Sequence, residues 1–216
     1  GEDAPVHLAH GNWVSGLVQD IYKVVLSPEA AHWLDICERE HDNIRTALTW
    51  SLEHHDFTLG INIADRSWRF WEIRGHYTEG RTWLERCLES FTDAPPRLRA
   101  LLLDGLGNIT WKQGDIVTAA RALEESLAIW RELGEETALN ATLSNLGAVM
   151  ERLGNLARAE ELQREALALA RKYGDEQDIS LTLNNLATVL WNQGDLDGAQ
   201  ELLEESLGIK RRIGNI

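Results

Sequence analysis

Histidines, cysteines and paired carboxylates are the residues of this chain with chemistry to offer, and their spacing limits what that chemistry is. His7 and His10 could supply two ligands to a metal ion, but no third ligand stands near them in sequence, so they read as surface groups. His41 beside Asp42 has the composition of a catalytic dyad; flanked by Glu40 and Asn43 on an expected helix, the pair is better suited to capping or helix packing. Cys37 and Cys87, the two cysteines, fit neither a CxxC nor a Cys/His metal spacing, so reduced thiols without a disulfide framework are expected. The carboxylate pairs Glu124-Glu125, Glu160-Glu161 and Glu204-Glu205 read as a solvated helix face rather than as general acids. Phosphate-loop, nucleophile-elbow, zincin and dinucleotide signatures are all missing from the sequence. No catalytic residue, no cofactor and no metal is therefore assigned, and the chain is not expected to be an enzyme.

Charge narrows the partners. Across 216 residues there are 21 Lys+Arg and 35 Asp+Glu, a net charge of −14. Both the part before Pro96 and the part after it are net negative, so no basic arm exists to release counterions from a phosphate backbone, and direct nucleic-acid contact is not expected. No apolar run reaches the roughly 20 residues that cross a bilayer, and Gly1 to His10 lacks the pattern of a secretory signal. A cytoplasmic location, off the membrane, is expected. Gly1 in place of Met, and an end at Ile216 without a polar closing segment, suggest a piece of a longer polypeptide.

The elements that must position any site are set by a period of forty residues: Gly114, Gly154 and Gly194 recur at that interval, as do Gly134, Gly174 and Gly214, and Ala119, Ala159 and Ala199. The strings G-L-G-N-I-T-W-K-Q-G-D from Gly105 and N-L-A-T-V-L-W-N-Q-G-D from Asn185 show the match most plainly. Only four prolines occur, and Leu, Ala, Glu and Arg dominate the stretches between them, which points to an all-α protein. Each period reads as two amphipathic helices. In the last, Leu183, Leu186, Val189 and Leu190 form one apolar stripe, Gly194-Asp195 a stop and turn, and Leu196, Ala199, Leu202, Leu203 and Leu207 a second. One hairpin cannot bury both stripes, whereas stacked hairpins can.

The pattern resembles the tetratricopeptide repeat. The resemblance is carried by Leu103 and Leu106, Leu143 and Leu146, Leu183 and Leu186; by the small residues Gly107, Gly147 and Ala187 that follow; by the turn glycines and helix-B alanines above; and by Ser126, Ala166 and Ser206. Forty residues exceed the usual length of that repeat, and its terminal proline is absent, which implies longer helices or wider turns. The fold implied is an all-α, right-handed superhelical solenoid of tetratricopeptide-like hairpins, with repeats at 96–135, 136–175 and 176–216. A degenerate repeat at 58–95 has Gly75, Gly80, Leu84 and Cys87 at matching places and helices expected near 58–74 and 77–91, with Trp68 where a small residue belongs. Residues 1–57 form an N-terminal helical linker or cap, with Ser27 as an expected N-cap before Pro28. Trp33, Trp50, Trp68, Trp71 and Trp83 are expected to fill its imperfect core and that of the degenerate repeat.

Between Pro28 and Ser90, W-L-D-I-C-E-R-E-H-D-N-I-R-T-A-L and W-R-F-W-E-I-R-G-H-Y-T-E-G are similar to the region that joins the ATPase part to the repeats in bacterial STAND-type ATPases and LuxR- or AfsR-like transcriptional regulators. That resemblance implies a signalling or transcription-regulation role together with ATPase and output domains elsewhere in a parent protein. It carries no ATPase or DNA-binding activity to these residues.

Tetratricopeptide arrays use the first helix of each pair to line an inner, concave face. By that resemblance the inward positions are Asp104, Asn108, Trp111 and Lys112; then Ser144, Ala148, Glu151 and Arg152; then Asn184, Thr188, Trp191 and Asn192, flanked by Asn145 and Asn185. Asparagine offers both a donor and an acceptor to an extended peptide backbone, and tryptophan offers contact area at low entropic cost. A peptide or protein segment is the expected partner. The other possibility is a passive scaffold or homo-oligomer that stacks through an open repeat end around Leu207, Ile209 and Ile213.

Overall fold

Glycine punctuates the helices. Gly114, Gly134, Gly154, Gly174 and Gly194 follow helix ends with φ of 84°, 68°, 78°, 74° and 90°, the left-handed region where a Cβ is strained. Their N–H groups return to carbonyls of the last helical turn, as in Gly194 N to Trp191 O at 3.0 Å. After Gly154, Gly174 and Gly194 a short polar side chain starts the next helix: Asn155 accepts from Arg158 N, Asp175 from Gln177 N and Asp178 N, and Asp195 from Gly198 N.

The computed structural model describes residues 4–24 and 30–214, and all regular structure there is helical. The helices are α1 (Ala4–Val24), α2 (Ala30–Arg39), α3 (His41–Glu53), α4 (Phe57–Arg74), α5 (Tyr77–Ser90), α6 (Pro96–Gln113), α7 (Ile116–Leu133), α8 (Glu136–Arg152), α9 (Leu156–Tyr173), α10 (Glu176–Gln193) and α11 (Leu196–Arg212). The expected all-α hairpin architecture is present, and the helices expected near 58–74 and 77–91 are α4 and α5. The expected Ser27 cap lies outside the described residues. The chain forms two compact units, residues 1–115 and 116–216.

In the first unit α4, α5 and α6 pack together, with α1 laid against α3 and α4. Trp68, Trp71 and Trp83 are buried, whereas Trp33 and Trp50 are half-buried. Trp68 fits at a small-residue position because Gly105 of α6 faces it: a Cβ on Gly105 would stand 3.3 Å from a Leu84 methyl and 3.5 Å from the Trp68 ring. Cys37 and Cys87 are separate, buried thiols, and burial pushes each up to about 12.

In the second unit α7 to α11 pack each on the next, with α8 also touching α10. Leu167, Leu183, Leu186 and Ile209 form one apolar cluster, and Ala187, Leu190 and Ala199 another. At the small-residue phase, Ser206 of α11 sits against Ser180 of α10 with hydroxyls 2.9 Å apart. Close approach is what the small residues provide, and each buried leucine contributes about 2 kcal/mol to holding the stack.

Candidate functional site: the inner row of the second unit

In the second unit the leucines at 143 and 146 of α8 and at 183 and 186 of α10 are buried, and the positions expected to face inward lie beside them on these two helices. Ser144, Asn145, Ala148 and Glu151 on α8, with Asn184 and Asn185 on α10, are half-buried; Arg152, Thr188, Trp191 and Asn192 are exposed. The two helices are stitched across this face. Asn185 Nδ2 donates to Ser144 Oγ at 3.1 Å, and Asn192 Nδ2 donates to Glu151 Oε1 at 2.7 Å. Asn185 and Asn192 thus bridge neighbouring repeats.

Three depressions follow the row. A recess of about 60 Å³ is lined by Ala148, Glu151, Gln163, Asn185, Thr188 and Val189. Asn184 lines one of about 180 Å³ with Gln177, Ser180, Leu181, Lys210 and Ile213. Trp191, 61% exposed, edges an apolar groove of about 460 Å³ whose other walls are Leu196, Leu203 and Leu207, with Gln200 and Glu204 at the rim. On α11 and just after it Leu207 and Ile213 are exposed as expected, but Ile209 is only 4% exposed. That expectation is corrected: Ile209 turns toward Leu183 and Leu186 and belongs to the core.

Gln163 is the residue that sequence patterning missed. It stands at the phase held by Leu123 and Leu203, yet it is fully buried. Its Nε2 donates to Ser144 O at 2.8 Å, while its Oε1 finds no partner. Gly147 makes the room, since a Cβ there would approach Gln163 Nε2 to 2.4 Å. A polar residue at a leucine phase was the available signal.

In the first unit the row runs along α6. Asn108 turns its amide onto its own helix, Nδ2 to Asp104 O at 2.8 Å, and Lys112 Nζ pairs with Glu72 at 3.0 Å. Asp104 and Trp111 are half-buried. Counting back from the turn glycines, Asp65 of α4 is the counterpart of Asp104, and it is 7% exposed. Burial drives its carboxyl up to about 6, opposed by Arg66, with Asp104 adding to the rise and Arg97 opposing it.

The remaining candidates separate. Asp42 is exposed and pairs with Arg45 at 2.8 Å, so it forms no dyad with His41, whose ring lies 3.2 Å from Glu79. The Arg45 guanidinium grips both Glu79 oxygens at 2.7 Å and holds that carboxyl down to about 2. His10 reaches Asn43 Oδ1 at 3.0 Å rather than a metal partner. The paired carboxylates separate: Arg171 pairs with Glu205 at 2.8 Å, as Arg131 does with Glu165 at 2.6 Å, so Glu205 ties α11 to α9, whereas Glu160 accepts from Gln193 of α10 at 3.0 Å and Glu204 edges the apolar groove.

Paired helices in register, stitched along a polar first-helix face, define a tetratricopeptide-type repeat region. The tetratricopeptide repeat family profile matches residues 138–212, and that segment is a tetratricopeptide repeat region. A protein from Mycobacterium tuberculosis named as an HTH-type transcriptional regulator is 27% identical over 151 residues, which take in 66% of this chain and 17% of that relative. The chain therefore corresponds to a small part of the relatives it matches. Among solved structures, BtubC (BKLC) from P. vanneervenii has a TM-score of 0.72 at 18% identity, covering 97% of this chain and 93% of that one. The STAND protein with a tetratricopeptide repeat sensor from Pyrococcus horikoshii has a TM-score of 0.68 at 16% identity, covering 97% and 36%. The Rap conjugation gene regulator of plasmid pLS20, solved in complex with the Phr* peptide, has a TM-score of 0.59 at 14% identity, covering 91% and 63%. These structures share the fold. No helix among the described residues is long and apolar enough to cross a membrane.

Proposed function

We propose that this chain is a non-enzymatic protein- or peptide-binding sensor module of a bacterial, cytoplasmic signalling or transcription regulator. Its ligand lies along the inner row of the second unit, and ATPase and output domains of a parent protein respond to it. The observation that carries this is the row itself: Ser144, Asn145, Glu151, Asn184 and Asn185 stay half-buried and polar between buried leucines, ending on the exposed Trp191 indole. Amides at this depth offer donors and acceptors matched to an extended backbone, and the indole adds an apolar anchor. The peptide-bound Rap structure and the sensor-bearing STAND protein support the reading by fold, and the regulator relative supports its setting.

The test is a displayed library of extended peptides screened against the whole chain, followed by a triple variant, Asn145→Ala, Asn184→Ala and Trp191→Ala. Loss of at least about tenfold in affinity, with an unchanged circular dichroism spectrum, is the expected result. Equal affinity for every selected peptide would remove the inner row from the account.

A second reading is favoured by the apolar groove of Trp191, Leu196, Leu203 and Leu207, on which a second copy would stack. Sedimentation across a concentration range separates the two, because a strictly monomeric chain eliminates self-stacking and leaves peptide binding intact.

A further inference from the structure

Three chain segments meet at a corner of the first unit that the inner row does not use. Glu38 lies in the last turn of α2, His41 opens α3 one residue beyond Glu40, and His76 immediately precedes α5 after the left-handed Gly75. His76 Nε2 stands 3.2 and 3.1 Å from the two Glu38 oxygens. The His41 and His76 rings are 4.7 Å apart at 48°, a tilt that is not a stack. One ligand atom from each of Glu38, His41 and His76 lies within 4.8 Å of the other two.

His41 supplies an independent observation. It is 6% exposed, fixed edge-on against Phe70 with centroids 5.0 Å apart, and its Nε2 has no hydrogen-bond partner. Glu79 Oε1 is 3.2 Å away, but both Glu79 oxygens are held by Arg45, and Oε1 also accepts from Trp83 Nε1 at 3.3 Å. An imidazole buried beside a second imidazole and a carboxylate, with an unused nitrogen, is a costly arrangement for hydrogen bonding alone.

We propose that Glu38, His41 and His76 bind a divalent transition-metal ion of the zinc class, with a water in the remaining position. Two imidazoles and one carboxylate are a zinc donor set, and hard ions such as Mg²⁺ are disfavoured by the nitrogen ligands. Tetrahedral bonds of about 2.0–2.1 Å require ligand atoms about 3.3 Å apart, so the cluster must close by roughly 1.5 Å. Glu38 and His76 make that movement, since both are partly exposed. The neighbouring Arg45 charge is already met by Glu79 and Asp42. The ion would staple the α2–α3 corner to the start of α5.

The experiment is calorimetric titration of Zn²⁺ into the metal-stripped chain, with Co²⁺ absorption as the spectroscopic readout. One saturable equivalent, visible cobalt bands and a raised thermal midpoint are expected. His76→Gln and Glu38→Gln should each weaken binding by at least about tenfold while leaving the metal-free thermal midpoint in place, and His54→Gln should change nothing. Because His41→Asn removes a buried ring and threatens folding, the conclusion rests on the two partly exposed ligands. Absence of saturable binding, or binding indifferent to both His76→Gln and Glu38→Gln, would overturn the site.

Discussion

The degenerate repeat treats one repeat position differently from the regular repeats. Ten residues before each turn glycine stand Asp65, Asp104, Ser144 and Asn184. The first is buried in a neighbourhood that also includes Tyr22 of α1, whereas the serine and the asparagine of the second unit lie at a half-open surface. Where the repeat is irregular, an extra helix and three buried tryptophans consume the space. Where it is regular, small residues bring the helices together and the inner row stays available. Regularity leaves the row open, and irregularity closes it.

The largest effect should come from the irregular core. Trp71→Ala removes a fully buried ring and should destabilise the first unit by about 3–5 kcal/mol. In urea melts the fluorescence transition of that unit should move far to lower denaturant. A shift no larger than that of a surface variant would contradict the assignment of the tryptophans to its core.

Asp65 tests the same contrast through pH. A carboxyl raised to about 6 from 3.8 means that the folded chain binds more protons than the unfolded one between those values. Its stabilising effect is therefore complete below about pH 4 and is lost as pH rises through about 6, by on the order of 2–3 kcal/mol. Asp65→Asn should be more stable than the native chain at pH 7.5 and indistinguishable from it near pH 4. Parallel stability curves for the two proteins would show that Asp65 is not desolvated.

Much of this was legible in sequence. The forty-residue period, the turn glycines and the alternating leucines located the hairpins, because φ above zero and close helix contact admit few residue types. The inner row came from the resemblance to tetratricopeptide arrays, which assigns inward positions on the first helix of each pair. What sequence did not disclose were the partners that individual side chains take. By sequence His41 and Asp42 are suited to capping or packing, and His41 does pack, against Phe70, but its meeting with His76 and Glu38 was not visible there, nor was the turn of Asp42 to Arg45. Ile209 seemed an edge residue by position, but its helical phase turns it into the core. Asn108, expected to face a ligand, donates to its own helix backbone.

Gln163 offers a smaller effect. Gln163→Leu restores the residue found one repeat away on either side and removes an unpartnered buried carbonyl. A gain of about 1 kcal/mol is expected in thermal melts, and a loss would mean that the bond to Ser144 is worth more than the orphaned oxygen costs. Smallest of all, Arg171→Ala should change stability by less than about 1 kcal/mol, because its pair with Glu205 is solvent-exposed. A larger loss would give the outer face a structural weight that its exposure does not justify.

The central claim is that the regular unit keeps its inner row open for an outside chain. Its most direct measurement is the side-chain amide and indole spectrum of isotopically labelled protein titrated with the tightest library peptide. The account expects the Asn145, Asn184 and Asn185 amides and the Trp191 indole to move together and saturate at one equivalent. Shifts confined to α9 and α11, with those four groups unmoved, would contradict it.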